Sequence, residues 1–189
     1  MKVREAIYTR RTIRKFTQEG ISDDMLRELV EAARFAPSGS NMQPLKYKLV
    51  NGPDAARVFP HVHWAGAIAP FGDPKPGEEP TAYIFILADT DIRARGYEMD
   101  VGIAAENICL AAMDMQLGSC MMGAIDRDAL RKEFAIPENL QLSLIIALGY
   151  PAQKSVAVAM QDEKEYHYYL TQDGILNVPK RALEDIIID

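Results

Sequence analysis

The segment from Gly96 to Leu117 constrains the fold more than any other stretch of this chain. It reads as the longest helix, yet Val101, Ile103, Ala104, Ala105, Ile108, Cys109, Leu110, Ala111, Ala112 and Met115 spread over more than one face. A helix that is apolar nearly all round has to be buried on nearly all sides. A chain of 189 residues builds one sizeable core and leaves little material to surround such a helix. A second subunit packed against it is therefore expected. Glu98, Asp100, Glu106 and Asp114 lie in the same segment. Each would cost roughly 2.5 kcal/mol or more near the centre of a bilayer, so the helix is not read as a membrane span. Gly118, directly after it, is a fitting C-cap.

The remaining elements follow from capping and periodicity. Val3 to Tyr8 reads as a short helix with Val3, Ala6 and Ile7 on one side. Ser22 is placed to cap a second helix, with Asp23 and Asp24 in the first turn, where the dipole favours negative charge. Met25, Leu26, Leu29, Val30 and Ala33 form its apolar stripe, and Pro37 ends it. Strands are predicted at Tyr47–Val50, Ala82–Ala88, Ser119–Met122 and Leu142–Leu148, with a helix Arg127–Phe134 capped by Asp126. Residues 51–80 form a Gly- and Pro-rich excursion that includes His61, His63 and Trp64 and suits a lid or pocket wall. From Ala152 there is little periodicity until Leu183, where a terminal helix is expected. An extended tail of that kind is stable only against something, and a partner subunit is the natural support.

Composition narrows the class. Hydrophobic residues make up 48% and charged residues 25%, so the whole length is read as one folded domain, 1–189, rather than as disorder. The net charge of −6 argues against a broad nucleic-acid-binding face. Cys109 and Cys120 sit in apolar runs without a Cys-x-x-Cys pair, which fits buried free thiols in a reducing compartment. The first residues lack a signal-like apolar stretch, and a cytoplasmic location is expected.

Four clusters carry chemistry. Arg10-Arg11-Thr12-Ile13-Arg14 packs three guanidinium groups and a hydroxyl into five residues of an acidic chain. Guanidinium forks match phosphate oxygens, although such a cluster also reads as a solvated turn. Pro37-Ser38-Gly39-Ser40-Asn41-Met42-Gln43-Pro44 offers hydroxyls, carboxamides and a close backbone approach, which suit a polar heteroaromatic ligand or a helix-terminating loop. Met121-Met122-Gly123-Ala124 ends a strand on a glycine whose N–H could be offered to a ligand. Pro179-Lys180-Arg181 could complete a phosphate site or lie in solvent. His61 and His63 lack a nearby third ligand for a metal, and Cys120 reads as core rather than nucleophile.

Taken together and in order, these clusters resemble the nitroreductase family of FMN-dependent oxidoreductases. The resemblance also covers Asp100-Val101-Gly102-Ile103-Ala104-Ala105-Glu106-Asn107, Gln116-Leu117-Gly118-Ser119-Cys120 and Leu183-Glu184-Asp185-Ile186. It implies an α+β fold with a mixed, mostly antiparallel sheet around the long helix. It implies an intertwined homodimer, with the C-terminal extension exchanged onto the partner. Arg10, Lys180 and Arg181 would bind the FMN phosphate, and Arg11 and Thr12 would add contacts. Arg14 would reach the pyrimidine edge of the flavin. Pro37, Ser38, Gly39, Asn41 and Gln43 would come from the other subunit, and Met122 and Gly123 would lie by flavin N5. NAD(P)H would donate hydride to the flavin in a ping-pong cycle, and a small organic acceptor such as a nitroaromatic or quinone would remove it. No side-chain general acid is assigned. A flavin store or redox sensor without turnover would share every one of these motifs. Leu45 stands where the family often has Trp, and the two methionines before Gly123 are also unusual, so the acceptor is the least transferable part.

Overall fold

Strand β2 (Ala82–Asp89) is buried at every position from Ala82 to Ala88. Side chains alternate along a strand, so a run of this kind needs cover on both sides. Tyr83, Phe85 and Leu87 enter one hydrophobic cluster, and Ile84 and Ile86 enter another. The strand lies between β1 (Leu45–Asn51) and β4 (Leu140–Gly149), with β3 (Gly118–Met122) beyond β4. All three pairings are antiparallel, and the β2–β4 register slips between Ile86 and Leu87. The computed structural model describes residues 1–64, 66, 72–162 and 165–188.

One face of the sheet is covered by α2 (Asp23–Arg34) and α4 (Glu98–Asp114). Leu26, Leu29 and Ala33 meet Val101, Ala104, Ala105, Ile108 and Ala112 over Ile84, Ile86, Ile146 and Leu148. The opposite face is covered by α3 (Ala55–Val58) and α5 (Arg127–Glu133). There Phe134 stands edge-on to Phe85 at 5.2 Å, beside Val58, Leu130 and Ile145. The two expected N-caps are in place. Ser22 Oγ accepts from Met25 N at 3.2 Å, and Asp126 Oδ1 accepts from Ala129 N at 3.0 Å.

Three expectations need correction. The long helix ends at Asp114, and Gln116 rather than Gly118 takes the left-handed conformation after it, with φ 63°. Gly118 opens β3 instead, for a packing reason given below. The outer face of α4 is, as its all-round apolar sequence led us to expect, not enclosed by its own chain: Met99 is exposed, and Ile103, Leu110 and Met113 are only partly buried. The tail is not merely extended. Its strands β5 (Ser155–Ala159), β6 (Tyr169–Leu170) and β7 (Leu176–Lys180) form a second sheet of order β5-β7-β6. Among the described residues the four named strands of the main sheet pair antiparallel, while parallel pairing is present between β5 and β7 and in a single bridge from Thr12 to Ser119 at the edge of β3. No terminal helix forms among the described residues; a turn at Leu183–Ile186 stands in its place, with Ile186 N donating to Leu183 O.

The excursion is partly structured. Val62 bridges to Ile125, His63 N donates to Ala124 O at 2.9 Å, and Asp126 N donates to His61 O at 2.9 Å. These bonds dock the stretch against the turn after β3. Residues 65 and 67–71, Pro70 included, lie outside the described residues. No helix among the described residues is long and apolar enough to cross a membrane.

Candidate functional site

Helix α1 (Val3–Thr9) hands the chain to Arg10 as its C-cap, and the next residues run extended along the edge of the sheet. Thr12 pairs with Ser119 in a parallel bridge, Ile13 N donates to Ser119 O at 2.9 Å, and Phe16 bridges to Pro151. Two glycines make this approach possible. Gly118 and Gly149 are direct partners across β3 and β4. A Cβ on Gly118 would stand 2.9 Å from Ile13 Cβ, and one on Gly149 would stand 2.8 Å from Phe16 Cδ1. The bare backbone at both positions therefore lets the basic segment lie on the sheet.

Arg10 and Arg11 line a cavity of about 330 Å³ with Ile13, Gly118, Ser119 and Lys154. Arg10 Nε donates to Glu106 Oε1 at 3.0 Å. Arg11 donates through Nη2 to Tyr8 O, while its Nε is buried without a hydrogen-bond partner among the described residues. Burial, and secondly the charge of Arg10, lower the Arg11 pKa from its ordinary value. A desolvated guanidinium next to a second one is costly unless an anion joins them.

Arg14 is buried, and its backbone N donates to Gln153 Oε1 at 3.1 Å. Its side chain makes no ion pair with a described residue, and its Cζ lies 5.7 Å from the Tyr168 ring centre. It lines a second cavity, of about 300 Å³, with His63, Trp64, Cys120, Met121, Met122 and Gly123. Met122 is buried, Gly123 is exposed, and a Cβ on Gly123 would meet open space. Burial pushes the Cys120 thiol up to about 11, so it is protonated at neutral pH and unsuited to attack. Among the described residues no three His, Cys, Asp or Glu side chains group as metal ligands.

The Pro37–Pro44 loop lies elsewhere. Pro37, Ser38 and Gln43 line a separate cavity of about 150 Å³ with Tyr47, Asp100 and Ala104. Asn41 is exposed, and Gly39 N donates to Asp100 Oδ1 at 3.0 Å. Nor does one chain bring Lys180 and Arg181 to Arg10. Ser155, which lines the Arg10 cavity, pairs with Leu176, whereas Lys180 pairs with Ala159 at the other end of β7. That is four residues on, or roughly 13 Å at the usual rise of a strand. Arg10, Arg11, Thr12 and Arg14 thus share one segment beside Met122 and Gly123, while the loop and the basic pair stand apart from it within the protomer.

A sequence profile of the Nitroreductase family matches residues 7–150, which contain every residue of both cavities' charged walls except Lys154. The chain belongs to the nitroreductase family. A protein of Archaeoglobus fulgidus that carries the provisional name NADH dehydrogenase/NAD(P)H nitroreductase is 32% identical over 168 residues, covering 85% of this chain and 87% of its own length. The FMN reductase (NADPH) of Bacillus subtilis is 26% identical over 165 residues, covering 80% and 66%. A crystal structure from Desulfovibrio desulfuricans, solved in complex with FMN, superposes with a TM-score of 0.68 at 29% identity, covering 81% of this nitroreductase and 88% of that chain.

Sequence reasoning missed several groups that shape the site. Gln153, Lys154 and Tyr168 come from the tail, where no periodic pattern marks them. Asp100 lies inside the Asp100–Asn107 motif, but it is one of four acids in α4 and nothing local sets it apart from Glu98, Glu106 and Asp114. Nothing in the sequence pointed to Arg93, which stands 3.4 Å from Asp100 Oδ2.

Proposed function

We propose that this nitroreductase is an FMN-dependent oxidoreductase that takes reducing equivalents from NAD(P)H and delivers them to a small organic acceptor as a homodimer. One observation carries the proposal: Arg11 is partly desolvated, next to Arg10, and its buried Nε, at the edge of a cavity, has no hydrogen-bond partner among the described residues. A phosphate monoester supplies an acceptor for Arg11 Nε and a second anion, beside Glu106, for the two guanidinium groups. The residues present fit the rest of the group. Arg14 offers a buried positive charge to the pyrimidine edge of the ring, and Gly123 leaves its backbone open to a close approach. The names of the relatives, an FMN reductase among them, and the FMN complex support the same cofactor. Bound FMN supplies the hydride-accepting and hydride-donating chemistry.

The chain's own residues then have separable tasks. Arg10 and Arg11 hold the phosphate, with Thr12 contributing from the same extended segment. Arg14 favours negative charge on the ring edge that it faces and so favours reduction. Met122 and Gly123 border the reactive side. Pro37, Ser38, Gly39, Asn41 and Gln43 roof the site of a neighbouring copy, and Lys180 and Arg181 join the phosphate through an exchanged tail. Exposed apolar side chains on α1 and α4 (Val3, Ile7, Tyr8 and Met99), and on the tail (Leu183, Ile186, Ile187 and Ile188), support the two-chain reading.

Titration of the flavin-free protein with FMN, followed by flavin fluorescence, tests this directly. Arg10→Ala removes a charge-assisted bond, commonly about 1.5–3 kcal/mol, and is expected to raise Kd by about 10- to 100-fold. Unchanged affinity would overturn the phosphate assignment. The loaded wild-type protein is expected to oxidise NADH or NADPH in steady state with a quinone or nitroaromatic acceptor. No turnover by fully loaded protein would favour a flavin store.

A further inference from the structure

Among the described residues, three of the five non-glycine residues with positive φ lie in the Pro37–Pro44 loop. Ser40, Asn41 and Gln43 have φ of 54°, 55° and 50°, three non-glycine residues in the left-handed region within four positions. Residues other than glycine adopt this region at a cost, and such geometry persists only where its surroundings over-determine it. Bonds inside the loop supply part of the restraint: Ser38 Oγ accepts from Gln43 N at 3.0 Å, and Asn41 O accepts from Gln43 Nε2 at 3.2 Å. At its C-terminal end Pro44 O accepts from Asp89 N at 2.8 Å. At the other end the anchor is a charge. Asp100, 4% exposed in the first turn of α4, accepts from Gly39 N at 3.0 Å. Its second oxygen faces Arg93 Nη1 at 3.4 Å, and Arg93 Nε donates to Arg95 O at 3.2 Å.

Gly39 completes the arrangement. Its φ is not in the left-handed region, so alanine would suit the backbone there. The reason for glycine is steric: a Cβ would collide with the Arg93 guanidinium. The far end of an arginine ordinarily swings away at little cost. Here it is held by Asp100 and the Arg95 carbonyl, so a methyl group at residue 39 would expel the counter-charge of a buried carboxylate.

We propose that Asp100 is a positioning residue for the flavin site, acting with Arg93 to fix the Ser38–Gln43 backbone in the shape that roofs a neighbouring protomer's FMN. The proposal rests on the two-chain reading given above and adds to it the charged pair that sets the roof. Neither side chain touches the cavities lined by Arg10 and Arg14 in its own chain.

The test uses FMN titration of the flavin-free protein, with the thermal midpoint of the same protein as a control. Asp100→Asn keeps an oxygen for Gly39 N but turns a carboxamide N–H toward Arg93, donor against donor. It is expected to weaken FMN binding at least about tenfold while retaining a cooperative thermal transition. Arg93→Ala, at a side chain about one-quarter exposed, removes the counter-charge together with the bond to Arg95 O and keeps the test open if Asp100→Asn does not fold. Gly39→Ala is expected to weaken binding in the wild-type background and to add little to Arg93→Ala, because the collision partner is then gone. Additive effects of Gly39→Ala and Arg93→Ala, or wild-type affinity in both Asp100→Asn and Arg93→Ala, would overturn the proposal. A mixed dimer of Arg10→Ala and Asp100→Asn chains should keep wild-type affinity in half its sites, because one site then carries neither change. No wild-type site in that mixture would also overturn it. If instead Arg10→Ala itself binds FMN like the wild type, the flavin reading fails, and that result is distinct from these.

Discussion

At residue 149 the decisive feature is an absent side chain. Phe16 is fully buried and its ring occupies the space that a Cβ there would need, so Gly149→Ala overpacks a closed site. Overpacking of this kind commonly costs about 1–3 kcal/mol. A fall in the urea midpoint by that amount is expected, together with weaker FMN binding, since Arg14 lies two residues from the displaced ring. A variant with an unchanged midpoint would show that the basic segment does not depend on this contact. The same position shows what the sequence conceals. Arg10, Arg11 and Arg14 stood out because charge clusters are visible in one dimension. Gly118 and Gly149 are 31 positions apart, and only the β3–β4 register makes them one channel. Asp100 and Gly39 are joined across 61 positions for a similar reason.

Among the elements, beginnings were more legible than ends. Ser22 and Asp126 announce helices because capping is local chemistry, and β2 announces itself through an unbroken apolar run. The end of α4 was misplaced by three residues, since Gly118 looked like a cap and is instead needed for close packing against Ile13. The tail strands left no signal. β5 and β7 are short, only partly buried over most of their length, and pair across about twenty residues, so their ladder depends on contacts that periodicity does not encode. The cap at α2 gives a prediction confined to its element. Ser22→Ala removes the acceptor for Met25 N and is expected to lower stability by about 1 kcal/mol in urea denaturation. Because α2 packs on the sheet through Leu26, Leu29 and Ala33, away from both basic cavities, FMN affinity should stay at the wild-type value. A large loss of flavin affinity in Ser22→Ala would mean that the helix start is coupled to the site.

For the whole molecule the apolar exterior and the divided site are one problem. Val3 and Met99 are 73% and 76% exposed on adjacent helices, and Ile188 is 96% exposed near the end of the tail. Burying a side chain of this size contributes roughly 1.5–3 kcal/mol, so several of them favour association strongly. The loop at Pro37–Gln43 and the pair Lys180–Arg181 stand away from Arg10 and Arg14 within a chain, so a complete flavin site needs two copies in the proposed arrangement. Linkage then fixes the sign of an effect. If FMN binds only where two chains meet, it must strengthen their association, and by reciprocity association must strengthen FMN binding. At free FMN one hundred times its Kd each site adds about 2.7 kcal/mol to the dimer. Val3→Asp places a charge on the exposed face of α1 and is expected to shift the flavin-free protein toward the 21.1 kDa chain in sedimentation. Excess FMN should return it to twice that mass. A Val3→Asp monomer that retains FMN with wild-type affinity would show instead that one chain completes the site alone, because a ligand with equal affinity for monomer and dimer cannot move the equilibrium between them.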